Sequence, residues 1–345
     1  MRNRFYLMLP ALLLGVSPFI IQAQDPTGGG SLVRDITGGA ALIFRSPQNP
    51  TVHEIQAGGQ GTASGGKVKG KKPKQPTRDE PEKILARANA ARSAPKPRYE
   101  EAEQQYRLAA QIAPTDARAY AGLGNVYVDQ QRFTEAAEAY QKALKLKPDY
   151  KGALLPLAFS LARLNKFPEA ITTYQDALKQ EPQNPEIYNN LSFAYNHQER
   201  YQEAVDASKE AIRLLGATGE AYTQGFQERN EILSYAYKNL GNAYNGLKRY
   251  DEAAEILKKS AEIEPTNASA HFNLGLSLYN AGRYSEAIEA YKQVIKLRPT
   301  LAQAHYNLGL TYAAVNDKKG AMEEYEALKS MNPGLAQQLY GAIKK

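Results

Sequence analysis

The chain has 345 residues, 43% of them hydrophobic, a net charge of +7 and no cysteine. Lacking cysteine, it has no disulfide, no thiolate metal site, no cysteine nucleophile and no lipid-modified N-terminal cysteine. Residues 1–78 carry ten Lys or Arg against three Asp or Glu, which is the whole excess; the remainder carries 33 of each and does not form the basic surface that nucleic acid requires.

In chain order, residues 1–23 have the pattern of an export signal peptide. Arg2 and Arg4 precede an apolar run from Phe5 to Ile21, and a cleavage point follows Ala23. The alternative is an uncleaved membrane anchor, although Pro10 and Pro18 interrupt the run and it falls short of the about 20 residues that span a bilayer. Residues 24–78 read as a Gly- and Lys-rich, mostly disordered tail. Its lysines Lys67, Lys69, Lys71, Lys72 and Lys74 form a solvated spacer or touch an anionic surface. Within the tail, residues 31–50 are an apolar island. Val33 and Ile36 precede Gly38-Gly39, and Leu42, Ile43 and Phe44 follow it. This island can form a hairpin, add a strand to a partner's sheet, or fold back on the rest of the chain.

From residue 79 the sequence repeats. Thr77 or Asp79 is placed to cap the first helix, with Pro81 early in it. An aromatic followed closely by Glu-Ala recurs around Ala102, Ala136, Ala170, Ala204, Ala253 and Ala287, and an imperfect copy, Gly-Ala without the aromatic, around Ala321. The separations are 34 residues throughout except for 49 between Ala204 and Ala253. Upstream stands a Leu-small pair: Leu123-Gly124, Leu157-Ala158, Leu191-Ser192, Leu240-Gly241, Leu274-Gly275 and Leu308-Gly309. Four residues before each small residue is a large or ring-bearing one: Tyr120, Leu154, Tyr188, Tyr237, His271 and His305. Spacings of three and four place these on one helix face. A second amphipathic run follows the alanine and ends at Pro114, Pro148, Pro182, Pro265, Pro299 or Pro333, which cannot continue a helix. The small residue allows two backbones to approach, and a bulkier one there overpacks the contact by about 1–3 kcal/mol. A period of this length means stacked two-helix units. The long spacing reflects an insertion at about 217–233, where Ala221, Phe226, Ile232 and Leu233 are placed to extend the next helix backward. Residues 334–345 read as a capping helix with Leu335, Leu339, Tyr340 and Ile343 on one face.

These motifs resemble the tetratricopeptide repeat family over about Pro81 to Pro333. The resemblance implies an all-α, right-handed superhelical solenoid of about seven helix-turn-helix repeats with a C-terminal capping helix, over residues 79–345. It also implies that first helices line a concave groove. In some relatives an asparagine ladder there holds an extended peptide by its main chain. Asn190, Asn239, Asn273 and Asn307 stand just before the leucine of their units and match that ladder; Lys238, Asn242, Phe272 and Tyr306 would face the groove beside them. An asparagine amide both donates and accepts, which suits a peptide backbone.

Catalytic chemistry has little to stand on: there is no nucleophile elbow, no phosphate-binding glycine loop and no metalloprotease helix. His271 and His305 fall in the ring-bearing column, where packing outweighs a two-histidine metal pair lacking a third ligand. The Arg or Lys before each aromatic (Arg132, Lys166, Arg200, Arg249, Arg283) sits near a helix end, where a cation opposes the dipole. The expectation is a non-catalytic protein-interaction scaffold without cofactor or metal. It works outside the cytoplasm, periplasmic or secreted, and takes an extended segment of a protein partner, not nucleic acid. The competing expectation is a spacer in envelope or secretion machinery whose tail makes the specific contact; an enzyme ranks third.

Overall fold

The computed structural model describes residues 80–217 and 226–344. The expected signal peptide, the cap at Thr77 or Asp79, residues 31–50, the lysine run and Ala221 therefore lie outside the described residues. Among the described residues there are fifteen α-helices and no strand. They pair as α1 (Glu80–Arg92) with α2 (Tyr99–Ile112), α3 (Ala117–Asp129) with α4 (Phe133–Leu146), and α5 (Lys151–Arg163) with α6 (Phe167–Gln180). Next come α7 (Pro185–His197) with α8 (Tyr201–Ala217), α9 (Phe226–Gly246) with α10 (Tyr250–Ile263), α11 (Ala268–Asn280) with α12 (Tyr284–Leu297), and α13 (Ala302–Ala314) with α14 (Lys318–Met331). The last, α15 (Pro333–Ile343), packs on α13 and α14. Each helix packs on its neighbours in sequence, so the molecule is an all-α solenoid of seven repeats and a cap.

The turn inside six of the repeats has one geometry. The residue after the first helix's C-cap is left-handed: Gln131 (φ 60°), Asn165 (60°), Glu199 (55°), Lys248 (59°), Gly282 (75°) and Asn316 (59°). The next N–H reaches back to the carbonyl three residues inside the helix end, as from Arg132 to Tyr127 O at 2.7 Å and from Arg249 to Tyr244 O at 2.8 Å. This is a Schellman closure, which satisfies carbonyls the helix leaves free. It also gives three of the basic residues before the aromatics a local contact. Where the carbonyl so bonded belongs to a tyrosine, the arginine side chain folds over that tyrosine's ring. The Arg132 guanidinium lies 4.4 Å from the Tyr127 ring centre, and Arg200 and Arg249 lie 4.5 Å from Tyr195 and Tyr244. Each also pairs with the glutamate three residues on, Arg132 with Glu135 at 2.9 Å, Arg200 with Glu203 and Arg249 with Glu252, as does Arg283 with Glu286 at 2.7 Å. These cations close turns.

All seven motif alanines are fully buried. The Leu-small pairs pack on the middle of the second helix of their own repeat. A Cβ on Gly124 would lie 2.7 Å from the Tyr140 ring, and one on Gly275 would lie 2.8 Å from Tyr291. Where the small residue is Ser192, the facing residue is also small: Ser208, whose hydroxyl lies 2.6 Å away. The ring-bearing column does more than pack. Tyr188 Oη donates to Pro182 O at 3.2 Å, and His271 and His305 each donate from Nε2 to Pro265 O and Pro299 O at 2.9 Å. It thereby ties a repeat to the proline that closes the repeat before.

Boundaries differ from the sequence reading in three places. Second helices stop two residues before their prolines, and Pro333 opens α15 instead of closing α14, its missing N–H being harmless at a first helical position. The insertion lengthens both neighbours: α8 runs on to Ala217, and α9 starts two turns early at Phe226, held where Arg229 Nε donates to Leu215 O at 2.8 Å and Ile232 packs on Leu215. On α15, Leu335 and Leu339 are buried as expected, but Tyr340 lies at the edge, stacked on Tyr325 with ring centres 5.1 Å apart.

Candidate functional site: the polar seam of the first helices

The first helices α7, α9 and α11 carry asparagine where α3 and α5 carry Gly122 and Pro156, and α7 and α9 carry it again where α3 and α5 carry Val128 and Ala162. The position just before the motif leucine points toward the second helix of the preceding repeat. At Gly122 an added Cβ would enter the Tyr106 ring, 2.1 Å from its nearest carbon. The asparagines in that column are accordingly enclosed. Asn190 and Asn239 have no exposed surface and Asn273 has 2%. Asn307 is half-buried and hydrogen-bonded to the Tyr291 hydroxyl, whose pKa burial raises well above the usual phenol range.

Two sets of hydrogen bonds join successive first helices. Between α7 and α9, Asn239 Nδ2 donates to Asn189 Oδ1 at 2.9 Å and to Asn189 O at 3.2 Å, and Asn196 Nδ2 donates to Asn239 O at 2.9 Å. Between α9 and α11 three pairs follow one another along the helices. Lys238 Nζ donates to Ser269 Oγ at 3.1 Å, Asn273 Nδ2 to Asn242 Oδ1 at 3.0 Å, and Asn245 Nδ2 to Ser277 Oγ at 2.8 Å. Lys238 is 2% exposed, with its ammonium 5.0 Å from the Tyr235 ring centre, so it reads as a buried cross-link. Among the described residues four buried amide atoms have no hydrogen-bond partner: Gln180 Oε1 at the end of α6, and three on these first helices, Asn196 Oδ1, Asn242 Nδ2 and Asn273 Oδ1. The latter three come from α7, α9 and α11 in turn.

The structure thus brings Asn190, Asn239, Asn273, Lys238 and Asn242 into one seam and sets the other three apart, Asn307 on the Tyr291 hydroxyl as described. Phe272 is a core residue, edge-on to Tyr291 at 5.9 Å. Tyr306 supports the cap, in the cluster of Leu328, Leu335 and Leu339. Sequence reasoning missed Asn189, Asn196, Asn245, Ser269 and Ser277. Their signal was present: polar residues three or four apart on consecutive first helices, in register from one repeat to the next.

Among the described residues no group of three or more metal-ligating side chains gathers, and no helix is long and apolar enough to cross a membrane. A shallow cavity of about 310 Å³ lies beside Tyr244, Asp251, Glu252, Glu255, Ile256 and Arg283, and its charges answer one another, Arg283 pairing with Glu255 at 3.0 Å.

Comparison with known proteins agrees with this architecture. Profiles of the tetratricopeptide repeat match residues 241–282, 277–316 and 302–334. The profile of the cytochrome c-type biogenesis protein H TPR domain matches residues 103–222. No curated protein matches the chain. Among solved structures, pilF of Pseudomonas aeruginosa is 24% identical, with a TM-score of 0.53 over 67% of this chain and 99% of that one. A tetratricopeptide repeat protein from Parabacteroides merdae is 16% identical, with a TM-score of 0.54 over 77% of this chain and 99% of its own. These likenesses speak to the fold. Repeat period, paired helices, enclosed Glu-Ala motifs and matching profiles agree, and the chain belongs to the tetratricopeptide repeat family.

Proposed function

We propose that this protein is a non-catalytic scaffold that holds an extended segment of a partner protein along the first helices of its last four repeats. The observation that carries the reading is the row of unpartnered amide atoms, acceptor, donor and acceptor, on Asn196, Asn242 and Asn273. A buried polar atom without a partner costs about 1–3 kcal/mol. A peptide main chain presents N–H and C=O groups in turn and relieves that cost once a covering side chain rotates aside. Asn190 and Asn239 belong to the framework behind this row. The site of action is extracytoplasmic, supported by the export pattern of residues 1–23 and by the similarity to the cytochrome c-type biogenesis H repeat domain.

The test is selection of unstructured peptides from a displayed library on the full chain, followed by titration. Asn242→Ala and Asn273→Ala should each weaken the selected peptides about tenfold, near 1.4 kcal/mol. Unchanged affinity in both variants sinks the assignment. The second reading, attachment through the tail, is favoured by the placement of the whole charge excess in residues 1–78. It requires that binding to anionic vesicles be lost in residues 79–345 alone and fall steeply with salt.

A further inference from the structure

In the last repeat a carboxylate enters a column that faces a histidine. The column of His305 otherwise holds Tyr120, Leu154, Tyr188, Tyr237 and His271. The column of Glu324 otherwise holds Gln105, Ala139, Thr173, Ala207, Ile256 and Ala290, uncharged residues throughout. A carboxylate replaces them only where a histidine faces it. His305 Nδ1 lies 2.6 Å from Glu324 Oε2 and its Nε2 lies 2.9 Å from Pro299 O. The two side chains are 9% and 16% exposed. His271, one repeat earlier, has the prolyl contact, while Ala290 occupies the place of the glutamate.

Both oxygens facing the His305 ring are acceptors, so both contacts are hydrogen bonds only when both ring nitrogens carry protons. Neutral imidazole has one N–H. Losing the second proton sets lone pair against lone pair at 2.6 or 2.9 Å and leaves a largely enclosed carboxylate without its cation. Of the elements around the ring, α14 presents Glu324 and the turn from α12 presents the Pro299 carbonyl; α15 presents the apolar Leu339, which packs against Gly309 beside the Cβ of Glu324. The pair thus joins the two helices, α13 and α14, between which the cap buries Leu335 and Leu339.

We propose that His305 and Glu324 form a pH-dependent clamp on the C-terminal end of the array, closed when the histidine is protonated and loosening α14 and α15 when it is not. The direction follows from linkage. The glutamate hydrogen bond raises the His305 pKa above its ordinary value near 6.5 in the folded chain. The clamp is therefore complete below the unfolded histidine's pKa and is lost as pH rises through the raised folded value.

Amide hydrogen exchange of the full chain between pH 6 and 9, corrected for intrinsic rates, tests it. Exchange in α14 and α15 should accelerate with pH by about tenfold for each unit by which the pair raises the histidine pKa, while α3 to α6 stay constant. The double change His305→Tyr with Glu324→Ala installs what other repeats carry and should abolish the response. Should that variant fail to fold, Glu324→Gln removes the charge alone and should flatten the response too. Constant protection of α14 and α15 in the unaltered chain overturns the proposal, and so does a response that survives in whichever variant folds. The clamp is independent of the peptide reading, since neither residue belongs to the row of free amides.

Discussion

Replacing Gly124 by alanine puts the close-approach argument to a quantitative test. A Cβ there would sit 2.7–2.9 Å from three ring carbons of Tyr140, roughly 1 Å inside the best carbon–carbon separation. Tyr140 is fully buried and its hydroxyl donates to Asn125 Oδ1 at 2.7 Å, so the ring cannot retreat without losing that bond. Overpacking costs about 1–3 kcal/mol and the lost hydrogen bond about 1 kcal/mol, against a gain of about 1 kcal/mol from better helix propensity. The net expectation is destabilisation by about 1–3 kcal/mol. In the third repeat Ala158 stands in the place of the glycine and Phe159 in the place of Asn125, and the facing Tyr174 is buried with its hydroxyl unpartnered. Gly341→Ala is the control. It also lies in a helix but has nothing within 4 Å of an added Cβ, and should stabilise by about 0.5–1 kcal/mol. Urea midpoints, with hydrogen exchange of α3 and α4 because repeat arrays need not unfold in one step, give the readout. A cycle with Tyr140→Phe should show about 1 kcal/mol of coupling, since the alanine already breaks the bond that the phenylalanine removes. If Gly124→Ala stabilises as Gly341→Ala does, propensity alone governs the site and the steric reasoning is wrong.

Gln131→Gly and Glu199→Gly relieve left-handed strain at their Schellman turns and should raise the urea midpoint, by up to about 1 kcal/mol each after the entropy of the unfolded chain is counted. Asn239→Ala removes the two hydrogen bonds to Asn189 inside the α7–α9 seam and should cost about 1–3 kcal/mol in denaturation, setting a structural asparagine apart from those proposed to meet a peptide. Arg132→Ala removes a half-exposed ion pair and ring contact; the loss should stay within about 1 kcal/mol and shrink in high salt. Burial pushes the Tyr106 hydroxyl up to about 12. Its absorbance should not titrate near pH 10 in the folded chain, and stability should fall above that pH as the unfolded chain ionises first.

The sequence is most legible where local spacing sets the outcome. Helix pairs, their register, the enclosed alanines and the capping helix all follow from apolar residues three and four apart, repeated at one period. The insertion's effect was legible for the same reason, because Ile232 continues the apolar stripe of α9 backward. Boundaries at the prolines were off by two residues, because proline forbids helical continuation past it without dictating where the preceding helix unwinds. Tyr340 was misplaced because a short helix at the end of an array has a neighbour on one side only, and the width of its buried stripe depends on that neighbour.

The asparagine column marks the division. Sequence alone determined that Asn190, Asn239 and Asn273 share a helix position, and that the repeats bearing them stack. Only the tertiary structure decided which way that position looks. A residue at the border of a helix face belongs to the groove or to the seam according to the rotation between successive repeats, which no single repeat encodes. The partners that settle it lie 50 residues away for Asn239 and 31 for Asn273. The same holds for Lys238 on Ser269, across repeats, and for His305 on Glu324, across the two helices of one repeat: each acquires its role when another helix is laid against its own.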